Sequence, residues 1–286
     1  MTRIADLLAA GRTFSFEFFP PKNDAEQAVL VRTIRELEPL EPAFVSVTYR
    51  GGAESRRRTI ELVSSLLRTT TLTPMAHLIC VAHSRLELAE ILVELRRAGV
   101  ENLMALGGDP PADPAAGAGE LAHADELVGL ARAIGGFSIG VAAHPAGHPR
   151  SPDLVSDRRF LAAKLELADF AVTQFFFRPE EYLGLVDEVA ALGIDKPIVP
   201  GIMPVTSLSS IGRMATMGAA VPPDMVARLE AAGPDRESVR RAGVEMATEL
   251  CEALLRSGAP GLHFYTLNRS SATREIHAGL GLSARG

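Results

Sequence analysis

Residues 13–21 read Thr-Phe-Ser-Phe-Glu-Phe-Phe-Pro-Pro. Alternation of apolar and small residues from Thr13 to Phe19 has the period of a strand, and Pro20-Pro21 ends it abruptly. Seven further strand-like runs follow: Ala43–Tyr49, Met75–Val81, Asn102–Gly107, Ser138–His144, Phe170–Phe177, Pro197–Met203 and Gly261–Asn268. Between most of them apolar residues recur at three- and four-residue spacing, as in Leu86, Leu88, Ile91, Leu92 and Leu95, which predicts helices. Asn23 with Glu26 and Ser84 with Glu87 have capping-box spacing, and Pro179 suits a first helical position. Gly99, Gly135 and Gly193 fall where helices should stop. Eight strand–helix units imply a closed parallel (βα)8 TIM barrel, because crossover helices cover the outer face of each strand. The rival, an open doubly wound sheet, lacks its Gly-x-Gly-x-x-Gly turn after the first strand. The segment from Pro222 to Ser257 reads as two helices ahead of the last strand. No boundary interrupts the pattern, so residues 1–286 are expected to form a single TIM-barrel domain.

The bulk numbers narrow the function. Apolar residues make up 47 % of 286, enough for a large core. A net charge of −6 without a basic tract argues against a nucleic-acid partner. No apolar run reaches spanning length and Met1–Gly11 lacks a signal-peptide core, so the expectation is a cytoplasmic chain without a membrane partner. Cys80 and Cys251 lie far apart, as ordinary reduced thiols do. The oligomeric state stays open, a homo-oligomer included.

In a barrel the site lies at the C-terminal strand ends. Those positions hold Glu17, Thr48-Tyr49, His77, Asp109, His144, Gln174 with Phe176, Pro204 and Asn268-Arg269. Glu17 is a lone carboxylate among phenylalanines. Desolvation disfavours its charged form, which would tune it to deliver a proton near neutral pH. The plainer alternative is a mouth glutamate that reaches solvent past the ring edges. His77 reads equally as a satisfied core histidine, and Gly107-Gly108 as a turn or as a place for a ligand to approach backbone. His144 and His148 stand among prolines, so helical metal-ligand spacing does not apply and no metal is expected. Arg269, just past a strand end, suits a carboxylate or phosphate, or else pins the last loop. Two insertions, 109–119 rich in Pro, Ala and Gly and 145–156 marked by its prolines, should hang over this face. The set suits a flat, polar heteroaromatic ligand with an acid in reach.

Seven blocks in order carry a resemblance to the catalytic domain of methylenetetrahydrofolate reductases. They are Phe16-Glu17-Phe18-Phe19-Pro20-Pro21, Val45-Ser46-Val47-Thr48-Tyr49, Ala76-His77-Leu78, Ala105-Leu106-Gly107-Gly108-Asp109-Pro110-Pro111, Thr173-Gln174-Phe175-Phe176-Phe177, Pro200-Gly201-Ile202-Met203-Pro204 and Tyr265-Thr266-Leu267-Asn268-Arg269. The resemblance implies an FAD-binding barrel that takes a hydride from NADH or NADPH and passes it to methylenetetrahydrofolate by ping-pong exchange. It implies that Glu17 is the acid that opens the folate ring, and that Asp109 stabilises the resulting cation. Gln174 and Arg269 would bind substrate. Thr48, Tyr49, His77, Gly108, Asp109, His144, His148, Asp157, Lys164 and Gln174 would contact flavin or nicotinamide. Gly107 stands where the family usually has arginine, and His144 where it usually has tyrosine. Arg50-Gly51-Gly52 and Leu167-Ala168-Asp169 also depart from the family pattern. The missing arginine implies either weak flavin binding and partial FAD occupancy, or Arg50 as a substitute cation. A flavin-independent or deazaflavin-using reductase of the same one-carbon carrier shares the barrel and the acid. So does a related imine reductase, with Ser210 at a position where the family often has glutamine.

Overall fold

The structure is a computed structural model, and it describes residues 2–49, 52–109, 117 and 119–282, the side chain of Ala53 apart. Eight parallel strands close in sequence order, with the last hydrogen-bonded to the first. They are β1 Thr13–Phe18, β2 Phe44–Val47, β3 Pro74–Ile79, β4 Asn102–Leu106, β5 Ser138–Ala143, β6 Phe170–Phe175, β7 Ile198–Ile202 and β8 Gly261–Tyr265. All eight predicted strands are present, each trimmed by a residue or more at its C-terminal end where the chain turns into the mouth.

Helices follow the strands as the periodicity requires: α2 Asp24–Leu37, α3 Ala53–Thr69, α4 Arg85–Arg97, α5 Ala124–Ile134, α6 Leu154–Leu167 and α7 Pro179–Ala191. Ser84 and Glu87 exchange hydrogen bonds in a capping box at the start of α4. Asn23 caps α2 by accepting from Glu26 N–H, but the Glu26 carboxylate turns to the amide of Lys22. The inward stripe of α4 is Leu88, Ile91, Leu92 and Leu95. Burying each is worth roughly 1.5–3 kcal/mol, which fixes the helix to the outer strand faces. Leu86, expected on that stripe, is 69 % exposed: at the first turn it falls on the opposite side of the 3.6-residue period.

Three helices lie between β7 and β8: α8 Ile211–Met217, α9 Pro223–Ala231 and α10 Arg236–Arg256. The last two are the expected pair. They enclose a second apolar cluster with Phe175, Phe177, Met203 and Val205 at the strand ends. The close fit shows at Gly243, where a Cβ would sit 1.8 Å from the carbonyl oxygen of Val205. Helix α11, Ser271–Gly279, ends the described chain.

Helix α1, Ile4–Ala10, does not pack outside the barrel. Its Ile4 and Leu8 join Phe44, Met75, Met104, Phe170, Val172 and Val199 in the interior cluster. Two otherwise orphaned amides at its N-terminus are met from the barrel, Ile4 N–H by Asn102 Oδ1 at 2.8 Å and Ala5 N–H by Ser138 Oγ at 3.1 Å. The helix therefore stoppers the N-terminal end of the barrel.

Candidate active site

Parallel register sets the floor of the open end. Glu17 pairs with Ser46 on one side and Tyr265 on the other. Side chains two residues apart share a face, so Ser15 and Glu17 of β1 point inward together with His263 and Tyr265 of β8. The His263 ring is held by two hydroxyls, Ser15 Oγ at 2.8 Å from Nδ1 and Ser46 Oγ at 3.2 Å from Nε2. Burial, and then the nearness of His77, pushes its pKa down to about 3, so it is neutral with one nitrogen donating and the other accepting.

Above this layer a cavity of about 1170 Å³ opens at the strand ends. That is ample for a ligand the size of a dinucleotide. Glu17 lies at its base, 6 % exposed, with Oε2 3.7 Å from His77 Nε2. Burial lowers the His77 pKa to about 4, so near neutral pH the imidazole offers this carboxyl a dipole and not a charge. His77 Nε2 and the buried Thr48 Oγ1 have no hydrogen-bond partner among the described residues, and both side chains line the cavity. Orphaned polar atoms in such a place call for a partner, an ordered water or a polar ligand. Burial, and then the Glu17 charge, raises Tyr265 well above its ordinary pKa, and its hydroxyl donates to the carbonyl of Thr173 at 2.7 Å. That carbonyl is reachable because β6 and β7 slip register between Val172 and Phe175, and because Gly201 carries no side chain. A Cβ at Gly201 would meet Thr173 O at 2.3 Å and Tyr265 Cε2 at 2.6 Å.

Most of the residues singled out in the sequence meet here. Glu17, Thr48, Tyr49, His77, Gly108, Asp109, His144, His148, Asp157, Lys164 and Gln174 all line the one cavity. Several are already engaged. Tyr49 Oη lies 2.6 Å from His83 Nε2. Asp157, buried near the start of α6, accepts from His148 N–H at 2.9 Å and Ser151 Oγ at 2.8 Å, and pairs with Arg158. Arg158 in turn donates to the carbonyls of His144 and Pro145, so the two residues fasten the loop after β5. Lys164 Nζ donates to Ala142 O at 2.8 Å, and burial lowers its pKa. His144 and His148 meet edge to face with centroids 4.7 Å apart, and burial followed by His148 pushes His144 to about 4. Gln174 does not point freely into the cavity: its Nε2 donates to Met217 O at the end of α8, and its Oε1 accepts from Phe175 N–H.

Arg269 stands apart. It is exposed beyond β8 and is not among the residues lining the cavity. Its neighbour Asn268 is structural, with the amide bridging both backbone groups of Phe19. Arg50, the substitute cation expected from the sequence, falls outside the described residues. Sequence reasoning passed over Tyr265, His263, Arg150 and the half-exposed Phe160 ring, all of which line the cavity. The first two were accessible by counting back in twos along β8.

Barrel, stoppered base and acid-floored mouth define a ligand-binding α/β barrel of the kind that does its chemistry at the strand ends. Residues 2–281 match the Methylenetetrahydrofolate reductase family, and the chain belongs to that family. It is 37 % identical over 270 residues to the 5,10-methylenetetrahydrofolate reductase of Pectobacterium carotovorum subsp. carotovorum, and 35 % identical to that of Escherichia coli. Each comparison covers 94 % of this chain and 90 % of the relative. Among solved structures, an uncharacterized protein from Clostridium thermocellum that binds two copies of 5-methyl-5,6,7,8-tetrahydrofolic acid superposes with a TM-score of 0.66. At 13 % identity over 98 % of this chain and 97 % of that one, the likeness is one of fold. Among the described residues no helix is long and apolar enough to cross a membrane.

Proposed function

We propose that the protein reduces 5,10-methylenetetrahydrofolate to 5-methyltetrahydrofolate, with NADH or NADPH as hydride source and FAD as the carrier. The observation that carries this reading is the placement of Glu17, a buried carboxyl beside a neutral histidine on the floor of a cavity of dinucleotide size. Family membership supplies the substrate class. The orphaned Thr48 Oγ1 and His77 Nε2 fit a polar, flat cofactor, and His148, Lys164 and the Gly108–Asp109 backbone lie on the same wall. Bound there, FAD supplies two-electron transfer between nicotinamide and the one-carbon unit.

The chain's own residues manage protons and charge. The product carries its methyl group on N5, so the C–N10 bond of the five-membered ring must break. Protonated Glu17 gives its proton to N10 as that bond breaks, and the carbon is left as an N5 iminium cation that accepts the hydride. Asp109, at the rim, stabilises the cation electrostatically. Gln174 orients the ring system once its amide exchanges Met217 O for the ligand. Donor and folate use one cavity, so the oxidised nicotinamide leaves before folate enters.

The test separates the two halves of the reaction. Glu17→Gln keeps the size of the side chain but cannot donate a carboxyl proton. Flavin reduction by NADH or NADPH should persist, while folate reduction falls by about 100- to 10,000-fold, the usual worth of general acid catalysis. Equal loss in both half-reactions removes Glu17 from the acid role, and a purified protein that takes up no flavin removes FAD from the scheme.

A further inference from the structure

We infer that Arg150, in the loop between β5 and α6, is the residue that grips the phosphate groups of the flavin dinucleotide, an inference that rests on the flavin reading above. Two observations converge on it. Among the described residues the cavity wall carries four carboxylates, Glu17, Asp109, Asp125 and Asp157, against two formal cations, Arg150 and Lys164. Lys164 is partly buried, commits a hydrogen bond to Ala142 O, and has its pKa lowered by desolvation. Among the described residues, an anionic ligand entering this cavity therefore has Arg150 as its strongest available counter-charge.

The second observation is the bed on which the guanidinium lies. Arg150 Nη2 donates to Gly108 O at 2.9 Å, and a Cβ built on Gly107 would meet that same Nη2 at 3.7 Å. At Gly108, φ is +85° and a Cβ would strike Val81 Cγ1 at 2.5 Å, so the backbone here stays bare. The pair of glycines thus leaves a flat strip of main chain at the end of β4, and an arginine from the neighbouring loop occupies the space a side chain at 107 would take. The planar fork gives one of its five N–H donors to Gly108, and the other four have no partner among the described residues. The loop that carries the fork is held in place, because Arg150 N–H donates to His148 Nδ1 and the His148 amide is held by Asp157.

Titration of the purified apoprotein with FAD and with riboflavin, followed by quenching of flavin fluorescence, tests the assignment. Riboflavin keeps the isoalloxazine ring and lacks both phosphates. Wild type should bind FAD more tightly than riboflavin, and Arg150→Ala should weaken FAD by about ten- to a hundredfold while leaving riboflavin unchanged. A guanidinium returned from the other side, in Arg150→Ala combined with Gly107→Arg, should recover most of the FAD affinity. Unchanged FAD binding in Arg150→Ala, or equal weakening of FAD and riboflavin, overturns the assignment; the latter makes Arg150 only a loop-ordering residue. Wild type that binds both flavins equally also overturns it but leaves the flavin site standing. Wild type that binds neither removes the flavin reading and this inference with it.

Discussion

Acidification offers a quantitative test of the polar layer beneath the cavity. His77 and His263 titrate near pH 6.5 in an unfolded chain. In the fold, burial holds them neutral until about pH 4 and about pH 3 respectively. Between these values the unfolded state binds more protons than the native one. Stability from this source is thus fully present above about pH 6.5 and drains as the pH falls toward the folded values. Each histidine removes about 1.4 kcal/mol per pH unit across that interval, so the pair removes about 4 kcal/mol between pH 6.5 and 5. A domain is typically stable by only about 5–15 kcal/mol, and the effect should dominate its acid behaviour. His144, also lowered, adds to the slope in the same direction. The chain has no tryptophan, so urea unfolding at a series of pH values is best followed by far-UV circular dichroism. We expect uptake of about two or more protons on unfolding near pH 5, and about one fewer in His77→Gln. Stability that is flat from pH 6.5 to 5, or uptake below one proton, would show that these rings are solvated in the native state and refute the argument.

Two further substitutions probe the mouth. Gly201→Ala forces a methyl group against Thr173 O and the Tyr265 ring. Overpacking with loss of the Tyr265 hydrogen bond should cost about 2–4 kcal/mol in a urea melt, and a wild-type midpoint would mean that β7 shifts freely. Arg269 lies outside the cavity, so it can meet only a part of folate that projects past the mouth; if it does, Arg269→Lys should weaken folate binding roughly tenfold in steady-state kinetics while flavin content holds, because an ammonium cannot reproduce the planar fork. A lower melting temperature with an unchanged folate constant would make Arg269 a loop anchor.

Much of this architecture is local in sequence, and that is why it was legible. Each strand announces itself within six to eight residues, and consecutive parallel strands leave the chain few choices of topology. Glu17 stood out because a carboxylate amid Phe14, Phe16, Phe18 and Phe19 needs an explanation. Helix α1 was invisible for the opposite reason. It is seven residues long, and its meaning depends on Asn102 and Ser138, 98 and 133 positions from the residues they hold. Gln174 could be placed at a strand end from its run of neighbours, but not its grip on Met217, which requires the turn after α8 to be known. Arg150 lies among prolines and histidines without periodicity, and only the fold lays it across Gly107-Gly108.

The stopper formed by Ile4 and Leu8 has a consequence for how any acid at Glu17 is recharged. Below that carboxyl lie a neutral imidazole clasped by two serines and then a plug of Phe44, Met75, Phe170 and α1. Among the described residues this underside is packed with buried apolar side chains. The open path for a returning proton is therefore the mouth, the same opening that admits the ligands. An occupant seated over Glu17 would shut off its own resupply, so each turnover would have to vent the chamber before the next could begin.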